Sequence, residues 1–352
     1  MGQIAQSPAP EEQIRFLSNV QRLLAEGLFT ATYKYALVAA LADLSVELGD
    51  DSGRPLLLST FAIAEKFVEY YWRHAIPYAS ANGERVLRQN TGQPAKIISL
   101  IEHVRKRYGD SLASLMRNGH AWRRLVRKVE AVVKVMPLWK LQRVGKEKLD
   151  FLYGDSEADS SIELRSGVAY CFRQFYSLIQ DAVRSAWLRD VRTLNGDLLG
   201  ETVDLRDFLF GAERKALAVV RPVLAKLQSE KCFYCGQRIR GDSSHVDHFI
   251  PWAKYPIDLA HNFVLADGRC NNNKRDRMPH VDHLARWSER NRDHGAEITS
   301  AVKDQLPYDL TCTNRIAHWA YSQTHAANGL TWLRGDEMLA LSSDWRNYIL
   351  TS

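Results

Sequence analysis

The stretch CFYCGQRIRGDSSHVDHFIPW, residues 232–252, is unlike anything that precedes it in this chain of 352 residues. It opens with a Cys-x-x-Cys pair, Cys232 and Cys235, and continues into the cluster His-Val-Asp-His, residues 245–248. The chain has five cysteines, an odd number that does not suit a disulfide framework in a chain of this size. We therefore expect the cysteine pair to belong to a metal site in a reducing compartment.

Two further elements follow in the segment HNFVLADGRCNNNKRD, residues 261–276. The first is a His-Asn pair, and the second is Cys-Asn-x-x-Lys. Histidine titrates near neutral pH and can accept a proton from water, while carboxylate and amide oxygens are ligands for a divalent cation. Asp247 and His248 together with these elements could therefore hydrolyse a phosphodiester. The alternative is a surface Asp-His pair beside a polar helix start, and strand neighbours would need a strand end to face one site.

The order of these elements resembles the HNH endonuclease superfamily, in the version with a zinc-binding cysteine framework. The resemblance implies a two-stranded hairpin followed by a helix around one metal ion. It also implies that His248 is the general base, that Asp247 is a metal ligand, and that Asn262 holds the loop and orients the base. Asn271 occupies the third family position, where an oxygen ligand in place of imidazole favours Mg²⁺ or Mn²⁺. These catalytic roles are expectations from the resemblance.

The cysteine framework departs from the family pattern. The family usually has two Cys-x-x-Cys pairs, but here the second reads Asp-Gly-Arg-Cys, which places Asp267 where a cysteine is expected. We expect a structural Zn²⁺ held by Cys232, Cys235, Asp267 and Cys270, since carboxylate is an acceptable zinc ligand. The alternative is a decayed site with packed cysteines. Two adjacent metal sites follow from this interpretation, one structural and one catalytic.

Three other polar residues near the motif are candidates for smaller roles. Lys274, one turn after Asn271, is predicted to contact a phosphate. His245 and His261 could bind metal or phosphate, but we favour a supporting or surface role for each. A second His-Val-Asp-His, residues 280–283, lacks the rest of the motif and is interpreted as coincidence.

Basic residues are concentrated in one part of the chain. Residues 103–148 carry 13 Lys and Arg against 3 Asp and Glu, a net charge of +10, although the whole chain has only +6. Aromatic residues lie among them, and such a helix face commonly lies on nucleic-acid phosphates. The predicted substrate contacts here are Arg123, Arg124, Arg127 and Lys128. The alternative is a solvated helix face whose acidic partners lie elsewhere in the fold.

The periodicity of apolar residues predicts a mostly α protein with a small α+β domain. We predict a helical domain with the basic face at 1–150, a helical connector at 151–230, an HNH nuclease domain of the ββα-metal type at 231–279, and a helical C-terminal region at 280–352. The first domain contains a short strand and a capped helix near residues 56–76 that loosely resemble a winged helix-turn-helix. A plain helical bundle is the alternative.

These features predict a metal-dependent endonuclease that acts on DNA, with RNA a less favoured substrate. A monomer with one site would nick. The alternative is a zinc-stabilised nucleic-acid-binding module without catalysis. Residues 1–230 are expected to bind a protein partner or activator, in a layout that resembles bacterial restriction or anti-phage effectors. No stretch approaches about 20 apolar residues, so we expect no membrane span and a cytoplasmic protein.

Overall fold

The structure is a computed structural model that describes residues 7–27, 31–92, 94–154, 160–199, 205–211, 214–239, 243–303 and 306–349. It consists of helices and small two-stranded sheets, which confirms the predicted fold class. The chain divides into two compact units, residues 1–211 and 212–352. Among the described helices, none is long and apolar enough to cross a membrane.

The first unit is built mainly from helices. Its helices are α1 (Pro10–Glu26), α2 (Tyr33–Leu48), α3 (Thr60–His74), α4 (Lys96–Tyr108), α5 (Leu112–Arg117), α6 (Gly119–Val135), α7 (Pro137–Lys140), α8 (Val168–Gln174), α9 (Tyr176–Leu194) and α10 (Leu205–Phe210). Its strands are β1 (Leu56–Ser59), β2 (Pro77–Ser80), β3 (Gly83–Val86), β4 (Arg143–Val144), β5 (Glu147–Lys148) and β6 (Ser161–Leu164). The pairs β1–β6, β2–β3 and β4–β5 are antiparallel.

Helix α2 forms the centre of this unit because its sequence is apolar nearly all round. It is buried along almost its whole length. Asp43, which interrupts the apolar run, accepts hydrogen bonds from the hydroxyl of Tyr176 at 2.7 Å and the amide of Gln180 at 2.7 Å. The buried guanidinium of Arg173 donates to carbonyl oxygens at the C-terminal end of α2. Each of these buried polar groups is therefore paired, as packing in a helical core requires.

The strand and helix predicted near residue 56 are present. Ser59 accepts a hydrogen bond from the amide of Ala62 and so caps α3, which ends at His74 before Pro77. Strand β1 pairs with β6 from the predicted connector, with Leu58 opposite Ile162. This pairing explains why the connector's first part belongs to the N-terminal unit.

The second unit contains the cysteine and histidine motifs. Its helices are α11 (Arg214–Leu227), α12 (Gly268–Lys274), α13 (Val281–Val302) and α14 (Leu310–Ala326), with short 3-10 turns at Ala260–Asn262 and Ser343–Asn347. Its strands are β7 (Ser244–His248), β8 (Phe263–Asp267), β9 (Leu330–Arg334) and β10 (Glu337–Ala340). The pairs β7–β8 and β9–β10 are antiparallel.

The hairpin β7–β8 followed directly by α12 has the ββα order that the resemblance implies. Its register places His248 opposite Phe263 and Ser244 opposite Asp267. Helices α11 and α13 cover the hairpin with one apolar cluster: Val220, Leu224, Ala260, Phe263, Leu265, Ile298, Val302 and Leu306. The hairpin is thus anchored to helices that lie outside the motif.

The predicted all-helical C-terminal region is wrong for residues 330–340. These residues form the hairpin β9–β10, which turns at Gly335 with φ of 48°. Trp332 of β9 accepts a hydrogen bond from the amide of His280 and donates one to the carbonyl of Met278. The segment Leu-Thr-Trp-Leu-Arg before a glycine has strand propensity, but it is too short for periodicity to separate strand from helix.

Candidate active site and metal centre

Asp247 and His248 line one cleft of about 550 Å³. The cleft residues are Val246, Asp247, His248, Pro251, Trp252, Asn271, Asn272, Arg275 and Asp276. Successive side chains on a strand point to opposite faces, but His248 is the last residue of β7 and the chain turns away after it. Both residues therefore line the cleft, to which α12 contributes Asn271.

The imidazole of His248 is held by a carboxylate that the sequence did not reveal. Its Nε2 lies 2.8 Å from Oδ1 of Asp258, and its ring packs against Trp252 and Phe263 at centroid distances of 5.2 and 4.7 Å. When Nε2 donates its proton to the Asp258 carboxylate, Nδ1 is the nitrogen that can accept one. The pairing therefore selects the tautomer that a general base needs.

Asp247 is anchored by two side chains from the protein interior. Its Oδ2 accepts a hydrogen bond of 2.5 Å from the hydroxyl of Tyr234 and lies 3.0 Å from Nζ of Lys274. A carboxylate has about four lone-pair sites, so Oδ1, 3.4 Å from the same ammonium, can still bind a cation. With the amide of Asn271, this donor set fits Mg²⁺ or Mn²⁺, because Mg²⁺ keeps several water ligands.

Lys274 does not have the position expected of a phosphate contact. Its side chain is fully buried, and Nζ donates to the carbonyl oxygen of His248 at 2.8 Å as well as pairing with Asp247. This geometry is at odds with the prediction, because the ammonium is directed into the protein. The exposed cation that lines the cleft is the next residue, Arg275.

Asn262 lies under the turn that follows His248. Its side chain accepts a hydrogen bond of 2.7 Å from the amide of Ile250 and donates one of 2.9 Å to the carbonyl of the same residue. Its own carbonyl accepts from the amide of Phe249 at 2.8 Å. Asn262 thus fixes the loop that follows His248, while the imidazole of His248 is held by Asp258.

The predicted structural site is assembled as the sequence suggested. The ligand atoms of Cys232, Cys235, Asp267 and Cys270 all lie within 4.8 Å of one another. Tetrahedral Zn²⁺ with bonds of about 2.3 Å to sulfur separates its ligands by roughly 4 Å, so the donor set fits this ion. A hydrogen bond between the thiols of Cys232 and Cys270 lowers the pKa of Cys232 and raises the pKa of Cys270, so Cys232 is the first of the two to form the thiolate that zinc binds.

Residues 232–280 match a family model described as HNH endonuclease. This segment is therefore similar to the HNH endonuclease motif, and we call it the HNH motif for that similarity. The match confirms the resemblance drawn from residues 232–276 and is confined to that part of the chain. No curated protein and no solved structure matches.

Two other histidines of the HNH motif, His245 and His261, lie outside the cleft. His245 is exposed, and His261 is buried with Nε2 at 3.1 Å from the carbonyl oxygen of Gly295. Burial lowers the pKa of His261, so its neutral form is favoured. Neither side chain lines the cleft described above.

The second His-Val-Asp-His begins helix α13. Nδ1 of His280 accepts a hydrogen bond from the amide of Asp282, and Nε2 of His283 lies 2.7 Å from the carbonyl oxygen of Leu333. One histidine therefore caps the helix and the other ties it to β9. These contacts agree with the interpretation of the repeat as coincidence.

The basic face predicted for residues 103–148 is present on α6 of the first unit. Arg123, Arg124, Arg127 and Lys128 are all exposed. The opposite side of the helix is buried through Trp122, Leu125, Val126, Val129 and Val133. Beyond the helix, Trp139 is half exposed, and the cations of Lys140 and Arg143 lie 5.0 and 5.1 Å from its ring centroid.

Proposed function

We propose that this protein is a metal-dependent endonuclease that hydrolyses phosphodiester bonds of DNA in the cleft of the HNH motif. The observation that carries the proposal is that His248, which is paired with Asp258, lines the same cleft as Asp247 and Asn271. An imidazole with a fixed tautomer beside oxygen ligands provides a base and a cation site within one pocket.

Each residue of the cleft has a distinct part in this proposal. Nδ1 of His248 takes the proton of the attacking water, and Asp258 stabilises the imidazolium that forms. Asp247 and Asn271 would hold Mg²⁺ or Mn²⁺, which supplies positive charge at the departing oxygen. Arg275, exposed at the cleft, binds a neighbouring phosphate in the role first expected of Lys274.

A zinc-stabilised binding module without catalysis is the competing function. Such a module would need the Cys3Asp centre and a basic surface, but it would not need an imidazole–carboxylate pair in a polar cleft. The side chains of His248 and Asp258 are each only 12% exposed, so their pairing is an organised feature of the interior. This arrangement supports catalysis over binding alone.

The first unit supports a targeting or sensing role. The exposed cations of α6 suit contacts to DNA phosphates, and residues 1–230 are large enough to bind an activating partner. A nick is the expected product of a monomer with one such cleft. Restriction and anti-phage effectors share this layout, so a defence role is part of the proposal by analogy.

The direct test incubates the purified chain with supercoiled plasmid and Mg²⁺ or Mn²⁺. We expect conversion to open circles that a chelator abolishes, because the proposed hydrolysis needs a cation beside Asp247. Single-stranded DNA and RNA run in parallel define the substrate class, since attack by water makes no use of a 2′-hydroxyl. Equal cutting with and without chelator, or no cutting of any of these substrates, contradicts the proposal.

Arg275 allows substrate binding and backbone strain to be separated. Its φ of 50° lies in the region that favours glycine, so the backbone is strained at an exposed cation of the cleft. We expect Arg275→Gly to be more stable than Arg275→Ala by about 1 kcal/mol, measured by chemical denaturation. Both variants should bind DNA more weakly, with a salt slope that is shallower by about 1.

Arg269→Ala is the matched control, because Arg269 is exposed on α12, which ends directly before Arg275, but it does not line the cleft. This variant should lose less affinity for DNA than either Arg275 variant. Equal losses at positions 269 and 275 would contradict a specific phosphate contact at Arg275.

A further inference from the structure

The structural metal centre and the catalytic carboxylate are joined by one side chain. Tyr234 lies between Cys232 and Cys235 in the sequence, and it is buried. Its hydroxyl donates a hydrogen bond of 2.5 Å to Oδ2 of Asp247. Residues 232–235, the cysteine loop, therefore contact Asp247 of the cleft directly. The spacing of the motif does not indicate this hydrogen bond.

The ring of Tyr234 is fixed on several sides. It makes edge-to-face contacts with His283 and Trp332 at centroid distances of 5.2 and 5.1 Å, and Nζ of Lys274 lies 6.0 Å from its centroid. The hydroxyl is thereby held where it donates to the Asp247 carboxylate. The position of the hydroxyl thus follows the position of the cysteine loop.

The backbone of the cysteine loop is itself attached to the hairpin. The amide of Phe233 donates to the carbonyl oxygen of Leu265 at 2.8 Å, and the amide of Gly236 donates to that of Cys232 at 2.9 Å. Two of the four ligands of the structural site, Cys232 and Cys235, lie on this loop. The other two, Asp267 and Cys270, lie at the end of β8 and on α12. A zinc ion bound there would hold the loop in the position from which the hydroxyl reaches the carboxylate.

We propose that Tyr234 is a positioning residue that orients the Asp247 carboxylate for the catalytic cation from within the structural metal loop. The inference rests on the proposed function. Tyr234 binds Oδ2, and Nζ of Lys274 lies 3.0 Å from Oδ2 but 3.4 Å from Oδ1, so Oδ1 has the weaker contact and is the oxygen that we assign to the cation. A carboxylate that is already held at one oxygen loses less rotational freedom when it binds an ion. Removal of a residue that hydrogen-bonds to a metal ligand typically lowers the metal affinity 10- to 100-fold.

The test uses Tyr234→Phe, which keeps the ring and removes only the hydroxyl. Full-length zinc-loaded protein is titrated with Mn²⁺ and followed by electron paramagnetic resonance, with Asp247→Asn as the zero of catalytic-site binding. We expect Tyr234→Phe to bind Mn²⁺ about tenfold more weakly or worse, with an unchanged zinc content. Cleavage should recover toward the wild-type rate as Mn²⁺ is raised, which a merely loosened fold would not show.

Tyr321→Phe is the matched control in the same unit. Its hydroxyl is also buried and donates to the carbonyl oxygen of Pro279 at 2.8 Å, so the variant loses a comparable bond away from Asp247. We expect its Mn²⁺ affinity to equal that of the wild type. Equal affinities of Tyr234→Phe and wild type, equal losses in both tyrosine variants, or no Mn²⁺ binding by the wild type would each overturn the inference.

The two proposals fail in different ways. Binding of Mn²⁺ that depends on Asp247 and Tyr234, without cleavage of any nucleic acid, would reject the nuclease and keep the positioning role. Metal-dependent cleavage with an unchanged Mn²⁺ affinity in Tyr234→Phe would reject the positioning role and keep the nuclease.

Discussion

Replacement of His248 by alanine is expected to slow plasmid cleavage about 10²- to 10⁴-fold, the range that general acid–base catalysis contributes. The nitrogen that accepts the proton of water is removed, while Asp247, Asn271 and Arg275 remain in place. Binding of DNA should therefore change little. Single-turnover cleavage of supercoiled plasmid measures the rate, and a filter or gel assay with the same plasmid measures binding.

The cleavage rate of Asp258→Asn should fall between those of the wild type and His248→Ala. The imidazole is still present, but no carboxylate fixes its tautomer or stabilises the imidazolium. Asp282→Asn is the matched control, since Asp282 lies 3.4 Å from Nδ1 of His280 in the repeated motif and does not line the cleft. Cleavage by Asp282→Asn should equal that of the wild type. A His248→Ala variant that cuts at the wild-type rate contradicts the assignment of the base.

Cys270→Ser is expected to destabilise the second unit by about 4 kcal/mol or more, among the largest effects of a single substitution. The four ligands come from the loop before β7 and from the end of β8 with the first turn of α12. A zinc ion bound by these ligands would close the HNH motif, whose hairpin has little core of its own. Metal analysis should find about one zinc per chain in the wild type and much less in the variant.

The stability loss is measured by chemical denaturation, with intrinsic fluorescence as the signal. Cys312→Ser serves as the control, because Cys312 is a half-buried cysteine of the same unit that lies on α14, outside the four-ligand cluster. It should keep its zinc and most of its stability. Wild-type protein without zinc, or a Cys270→Ser variant as stable as the wild type, contradicts a structural zinc site.

Sequence spacing predicted the parts of the site that lie on the motif itself. The order of Cys-x-x-Cys, Asp-His, His-Asn and Cys-Asn carried the resemblance to HNH endonucleases, and that resemblance implied the hairpin, the helix and the four-ligand cluster with Asp267 in a cysteine position. Spacing carries this information because each motif residue occupies a set position along a strand or at a helix start. The cleft that joins Asp247 to Asn271 follows from the same register.

Contacts made across loops were beyond the reach of spacing. Asp258 follows His248 by ten residues in a segment without regular periodicity, so only the folded loop shows that it binds the imidazole. Tyr234 looked like a spacer between two cysteines, and its hydroxyl finds Asp247 only after the hairpin forms. Lys274 was correctly predicted to lie on a helix, but its side chain is buried against the hairpin, where it contacts His248 and Asp247.

The helical parts show the same contrast. Capping and proline signals located α3 well, because Ser59 and Pro77 act on their immediate neighbours. The hairpin β9–β10 and the pairing of β1 with β6 depend on partners far along the chain. Such short strands are decided by tertiary packing more than by local propensity.

The central claim is that His248 activates a water molecule for attack on phosphorus. Cleavage of DNA in water enriched in oxygen-18, followed by mass spectrometry of the new terminal phosphate, tests this claim most directly. The wild type should place one labelled oxygen in each new phosphate in the presence of Mn²⁺, and His248→Ala should yield almost no labelled product in the same time. Cleavage products whose new phosphates carry no label, or equal labelling by both proteins, would contradict it.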